Sequence, residues 1–360
     1  MKLKKFDELY SISPGNIPNQ GIMFVDHSKQ NRSGHLGHAL IQCKNFDILA
    51  FYPDCSNDGK GHSAVGWMKY KRSGDFGKTW GPSFDLTYSK NMIQLFHNIS
   101  VMSEKGVVTK DGSIVLFHLL CDIADTPLWE PYFVPTYTIS RDNGITWSIA
   151  QTIGQERGRI YDALYQDETI FVLKFNNDAT IDWTGNLPEH QYQLYVSSNN
   201  AKTFEMKSIL PFQTNGRGYG TICFLENHDL IAYCYNINDE YYADYVISHD
   251  NGKTWDPPKS TYFTKKIRNP QMVKFGQGYL LHGRSGNQEP KAGNFVLYYS
   301  TDGIHWDNGR YLALCEAGYG AYSNNLIVRQ NDGKERLFIQ SSHAYEENKT
   351  NILSWWIDSK

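Results

Sequence analysis

Ser140-Arg-Asp142-Asn-Gly144-Ile-Thr146-Trp147 decides the fold, because its pattern, Ser-x-Asp-x-Gly-x-Thr-Trp, returns along most of the chain. It recurs as Ser73-Gly-Asp75-Phe-Gly77-Lys-Thr79-Trp80 and as Ser248-His-Asp250-Asn-Gly252-Lys-Thr254-Trp255. Two looser copies, Ser197-Ser-Asn199-Asn-Ala201-Lys-Thr203-Phe204 and Ser300-Thr-Asp302-Gly-Ile-His-Trp306, keep the same logic; the five opening serines stand 67, 57, 51 and 52 residues apart. In each copy the Asp or Asn can bond the backbone of its own turn, Gly supplies a left-handed conformation, and the closing aromatic returns as an apolar anchor. This is the chemistry of a β-hairpin tip.

Alternating strands such as Phe295-Val-Leu-Tyr-Tyr-Ser300 run into the tips, and no segment shows a sustained helical apolar period, so the chain is expected to be all-β. A unit of roughly four strands repeated around a ring is a β-propeller, which hides its strand edges by closing radially. Five copies give five blades. A sixth is readable without its tip from Ala321–Val328, Arg336–Ser341 and Asn351–Ile357, giving one six-bladed domain over 1–360, with residues 1–30 closing the last blade.

Composition removes other classes. With 40% hydrophobic and 14% aromatic residues the chain can fill a large core and is not disordered. Its 35 basic and 38 acidic side chains leave a net charge of −3 without a basic run, which argues against nucleic acid. The best apolar stretch, Ile114 to Cys121, is broken by His118, which argues against a membrane span. Met1-Lys-Leu-Lys-Lys leads into no hydrophobic segment, so a cytoplasmic location is expected, or a secreted one if a signal has been trimmed. The six cysteines lack paired spacing and read as buried thiols; no cofactor is called for, and the oligomeric state is left open.

The tips resemble Asp-box, or BNR, repeats, and the chain from about residue 30 to 360 is similar to the six-bladed propellers of the sialidase superfamily. The resemblance implies a glycan-active enzyme with its site at the central mouth and the Asp boxes away from it. Gly318-Tyr-Gly-Ala-Tyr322-Ser-Asn-Asn-Leu resembles the segment that holds the superfamily's nucleophilic tyrosine, which makes Tyr322 the implied nucleophile. Elsewhere the match departs: Leu36-Gly37-His38 stands where Arg-Ile-Pro is expected, and His62 lies in the loop of the acidic Asp. Gly220-Thr221-Ile222 replaces the Glu, Cys234-Tyr-Asn236 replaces an Arg, and Arg284 is the candidate for a surviving carboxylate-binding Arg.

Chemistry at the mouth would come from the leading residues of inner strands and the trailing residues of the next strands. His35 and His38, Arg159, Tyr161 and Asp162, Arg217 and Tyr219, Arg284 and Tyr322 occupy such places. Arg forks bind carboxylates and aromatic faces stack on sugars, so the expected partner is an acidic oligosaccharide, sialic or uronic. Single His and Tyr residues at strand ends are as often structural as functional; the convergence of many raises the odds. A tyrosine nucleophile needs a base and a separate acid. Asp162 or Glu316 can stand in as the base, and His38 with His62 can serve as an acid/base pair. The same set also resembles uronate lyases of propeller fold, in which Arg neutralises the carboxylate while Tyr or His removes the C5 proton. A binding propeller without catalysis fits the missing carboxylates. A metal held by His35, His38 and His62 is a further reading, and needs a bend at Gly34 or Gly37 to bring positions 35 and 38 to one side.

Overall fold

The computed structural model describes residues 5–15, 19–56, 64–123, 132–177, 190–285, 293–347 and 349–360. Six antiparallel sheets form the blades of a six-bladed β-propeller. From the axis outward, blade one runs Leu40–Gln42, Ile48–Cys55, Gly66–Ser73 and Phe84–Asp85; blade two starts at Ile99–Val108, three at Gly158–Gln166, four at Arg217–Phe224 and five at Arg268–Phe275. Blade six places Ser323–Arg329 inside, Glu335–Glu346 and Lys349–Ser359 next, and the N-terminal strand Tyr10–Ser13 outside, where Tyr10 faces Ser359 and Ser13 faces Trp356.

Second strands such as Ile48–Cys55 and Gly278–Ser285 are buried along their whole length, because each blade is covered on both faces by its neighbours. Fourth strands are short and partly polar, as in Gln151–Thr152 and Lys259–Tyr262, which limits edge pairing with other chains. All six cysteines are buried and none forms a disulfide. Among the described residues no helix is long and apolar enough to cross a membrane.

Three helical elements depart from the all-strand expectation, the short turns Phe6–Leu9 and Ser28–Gln30 and the longer helix Thr87–Phe96, with Ser89 and Ile93 buried. Two buried positions make too thin a stripe to be read as a period. The Ser89 hydroxyl donates to Val101 O at 2.6 Å and accepts from Met68 N at 2.8 Å, pinning the helix between blades one and two.

The Asp boxes fold as their residues dictate. In blade two, Ser140 Oγ donates to Asp142 Oδ1 at 2.8 Å and accepts from Gly144 N at 2.8 Å, while Thr146 N donates to Asp142 Oδ1 at 2.9 Å. Gly144 has φ +79°, and a Cβ there would meet Leu49 of blade one at 2.4 Å, so glycine is required both for conformation and for close approach. Each box leans on the preceding blade: Trp147 packs on Phe51, Trp306 on Tyr233, and Trp255 donates to Ser208 at 2.9 Å. The boxes join third to fourth strands, on the face of the ring opposite the leading ends of the inner strands.

Candidate functional site

Four inner strands break register where they approach the axis. The breaks fall between Ser103 and Lys105, Ile160 and Asp162, Gly218 and Gly220, and Arg268 and Gln271. The residues set free from the ladder are Glu104, Tyr161, Tyr219, and Asn269 with Pro270, and a bulge of this kind turns a side chain off the pleat. Glu104, Tyr161, Tyr219 and Asn269 all line one axial cavity of about 30 Å³, together with Arg159, Gln271, Asn324, Tyr322 and His38. Tyr219 and Asn269 hold φ of +34° and +50°, and Ala321, just before Tyr322, holds +59°, so three non-glycine residues at or beside the cavity sit in the left-handed region.

Tyr322 is at the centre. Its hydroxyl lies 3.0 Å from that of Tyr219, and the His35 ring meets its edge at 4.8 Å. The Arg159 and Arg284 guanidiniums each stand 5.7 Å from its ring centre. Arg159 also lies 4.8 Å over Tyr219 and 5.7 Å over Tyr161. The structure thus brings together Tyr322, Tyr219, Tyr161, Arg159, Arg284, His35 and His38, contributed by blades one, three, four, five and six.

Charge pairing distinguishes the cations. Arg159 donates through Nε and Nη2 to Glu104 Oε2 at 3.0 and 2.6 Å. Arg268 pairs with Glu240 at 3.2 Å and donates to Tyr235 Oη at 3.0 Å. Lys105 pairs with Asp162 at 2.9 Å, and Arg217 with Asp244 at 2.5 Å. Arg284, only 6% exposed, has no carboxylate among the described residues, and its Nε is buried without an acceptor. Burial, and next the charge of Arg268, pull its pKa below the usual arginine value. A buried, uncompensated guanidinium is costly unless an anion completes it.

Several expected roles change in this geometry. Asp162 does not line the cavity: its carboxylate accepts from Lys105, from Ala163 N at 2.8 Å, from Thr221 Oγ1 at 2.6 Å and from Ile222 N at 3.0 Å, tying blade three to blade four. Arg217 is likewise held to Asp244 and, at 2.9 Å, to Asn236, away from Tyr322. Glu316 is exposed. His38 reaches the cavity, but burial lowers its pKa to about 3, which keeps it neutral and unsuited to protonation near neutral pH. Burial, with Arg284 next, does the same to His35, also at about 3. His62 lies outside the described residues. Gly37, at φ +73°, supplies the bend that turns His35 and His38 both inward, yet no group of three metal-ligating side chains occurs among the described residues.

The residue that meets Tyr322 from blade four is Tyr219, one position before the Gly220-Thr221-Ile222 expected there. Glu104 escaped the sequence reading. Its signal was the adjacent Glu104-Lys105 pair inside the otherwise uncharged run Ile99–Val108, where consecutive charges break strand alternation.

No family model matches the chain. A sialidase from Clostridium perfringens is 24% identical over 241 residues, covering 60% of this chain; the chain spans 59% of that relative's length. A protein of unknown function from Dyadobacter fermentans superposes with a TM-score of 0.70 at 15% identity, covering 94% of this chain and 98% of the other. A Hadza microbial sialidase gives 0.66 at 13% identity, over 94% of this chain and 68% of that one. The fold is the six-bladed β-propeller shared with these solved structures, with Asp boxes in place.

Proposed function

We propose that this sialidase-superfamily propeller is an exo-acting glycoside hydrolase that removes a terminal acidic sugar, sialic or uronic, with Tyr322 as nucleophile. The observation that carries the reading is Arg284: four other buried or largely buried cations around the axis have a carboxylate each, and Arg284 has none among the described residues. An anionic group on the substrate supplies the missing charge, held by the guanidinium fork and placed beside Tyr322. Arg159 and Arg284 flank the phenol with fixed positive charge, which favours negative charge developing on its oxygen during attack. The name of the Clostridium perfringens relative, a sialidase, supports a sialoside as the first substrate to try.

The test is a screen of aryl sialosides and aryl glucuronides, followed by covalent trapping with a fluorinated glycosyl fluoride of the active class. Labelling of Tyr322 is expected; turnover without label on Tyr322 would overturn its role, and no turnover of any acidic glycoside would overturn the hydrolase assignment.

A second reading draws on the same groups. Tyr322 is paired with another phenol, Tyr219, as a tyrosine base would be in β-elimination from a uronate whose carboxylate sits on Arg284. Unsaturated-product absorbance on uronic-acid polysaccharides separates it from hydrolysis. Binding of acidic sugars with no product of either kind identifies a carbohydrate-binding propeller.

A further inference from the structure

The axial cavity gathers buried polar atoms that no described residue satisfies. Glu104 Oε1 and both amide atoms of Asn269 lack hydrogen-bond partners among the described residues, although Glu104 and Asn269 are nearly fully buried. Orphan groups are rare in folded proteins, so two side chains with unmatched atoms around one small space require a common explanation. A space of about 30 Å³ has room for one water and none for a sugar ring. The substrate therefore lies outside this cavity and a water within it.

We propose that Glu104 is the proton acceptor for the Tyr322–Tyr219 hydroxyl pair, reached through one water held in this cavity. The inference rests on the reading of Tyr322 as nucleophile. Arg159 occupies only Oε2 of Glu104, both of its donors converging on that atom, which leaves the lone pairs of Oε1 available. The bulge at Glu104 takes the side chain out of the strand ladder and into the cavity that Tyr219 and Tyr322 also line. Burial raises the carboxyl above its usual range against the pull of Arg159, making it a better proton acceptor than a surface glutamate. Next to it, Lys105 donates to Asn324 at 2.7 Å and Gln271 at 2.8 Å and pairs with Asp162, so the surroundings of the cavity are fixed.

As the Tyr322 oxygen bonds to the anomeric carbon, its proton passes to the water and a water proton passes to Glu104 Oε1. The electron pair of the breaking glycosidic bond leaves on the aglycone oxygen, which takes a proton from solvent water. In the second half a water adds at the anomeric carbon, the bond to Tyr322 breaks with its pair returning to the phenolic oxygen, and the proton comes back from Glu104. The hydroxide from the first half takes the proton shed by the incoming water.

Two measurements test this. A high-resolution crystal structure of the full chain is expected to show one ordered water within hydrogen-bond distance of Glu104 Oε1 and of a Tyr322 or Tyr219 hydroxyl; a cavity without it overturns the proposal whatever the activity. On an aryl glycoside that the wild type cleaves, Glu104→Gln is expected to lower kcat about 100-fold or more, the usual scale for a lost base, with KM within threefold and the acidic limb of the kcat–pH profile abolished. Glu104→Asp keeps a charge opposite Arg159 but withdraws it by one methylene. It is expected to fold even where Glu104→Gln does not, and to lose at least about tenfold in kcat. Either variant retaining wild-type kcat overturns the role of Glu104. A wild type that cleaves no acidic glycoside overturns the hydrolase reading instead, and the water density alone then decides the proton path.

Discussion

Arg268 and Arg284 face each other across the first two strands of blade five, and among the described residues only Arg268 has a carboxylate. The pair sets function against stability, since the uncompensated charge is a cost the empty protein carries. Arg284→Met is expected to raise resistance to urea by about 1–3 kcal/mol, as replacing a buried charge by an apolar side chain does, and to abolish affinity for free acidic sugars in calorimetry. Arg284→Lys should weaken that affinity without the gain in stability, because an ammonium lacks the guanidinium fork. An Arg284→Met variant that binds as well as the wild type would remove the case for an anionic ligand.

The two phenols of the hydroxyl pair should be separable by kinetics. Tyr322→Phe deletes the attacking oxygen and is expected to cut turnover by roughly 10²-fold or more. Tyr219→Phe removes a hydrogen-bond partner, so turnover should fall about fivefold, in line with the roughly 1 kcal/mol of one hydrogen bond. Equal losses from both, in steady-state assays, would mean that Tyr219 takes part in the chemistry directly.

Buried histidines make the fold sensitive to acid. Burial lowers His35, His38, His118 and His282 to about 3, while in the unfolded chain each returns to the ordinary imidazole range. Above about pH 6.5 these groups are neutral in both states and contribute nothing; as pH falls from there toward 3 the unfolded state takes up protons that the folded state refuses. Stability should therefore drop by up to about 1.4 kcal/mol per pH unit for each imidazole, visible as falling urea midpoints at pH 7, 5.5 and 4.5. His38→Gln should leave the shape of the activity profile between about pH 5.5 and 8 unchanged, since His38 does not titrate there. A lost limb would return His38 to acid/base duty.

At the blade seams, Trp147→Ala is expected to cost about 2–3 kcal/mol, less than the 3–5 of a fully buried tryptophan, because Trp147 is only partly buried against Phe51. Affinity for the acidic sugar should be unchanged, as the box lies on the far face of the ring. A stable Trp147→Ala variant with lost binding would show that seam packing reaches the site.

The Asp boxes made the architecture legible because their requirements are local: a serine, a carboxylate and a glycine within one turn. Tyr322 and Arg284 were legible for a similar reason, standing beside motifs or at strand ends. Glu104 and the meeting of Tyr219 with Tyr322 were hidden because both depend on strand bulges, and a bulge shifts the alternation from which side-chain direction is read. Asp162 misled for the opposite reason: a carboxylate at the head of an inner strand looks available until donors from Lys105, Thr221 and Ile222 are seen to fill its oxygens.

The pairing of Tyr10–Ser13 with Lys349–Ser359 bears on the order of assembly. A chain leaving the ribosome presents Tyr10–Ser13 long before its partner strand. Blades one to five can form while the outermost strand of blade six still waits, and the seam where His35 of blade one meets Tyr322 of blade six is the last to be drawn shut. Completion of the ring and completion of the cavity then become one event, and a nascent or C-terminally nicked chain would carry most of the propeller without a finished centre.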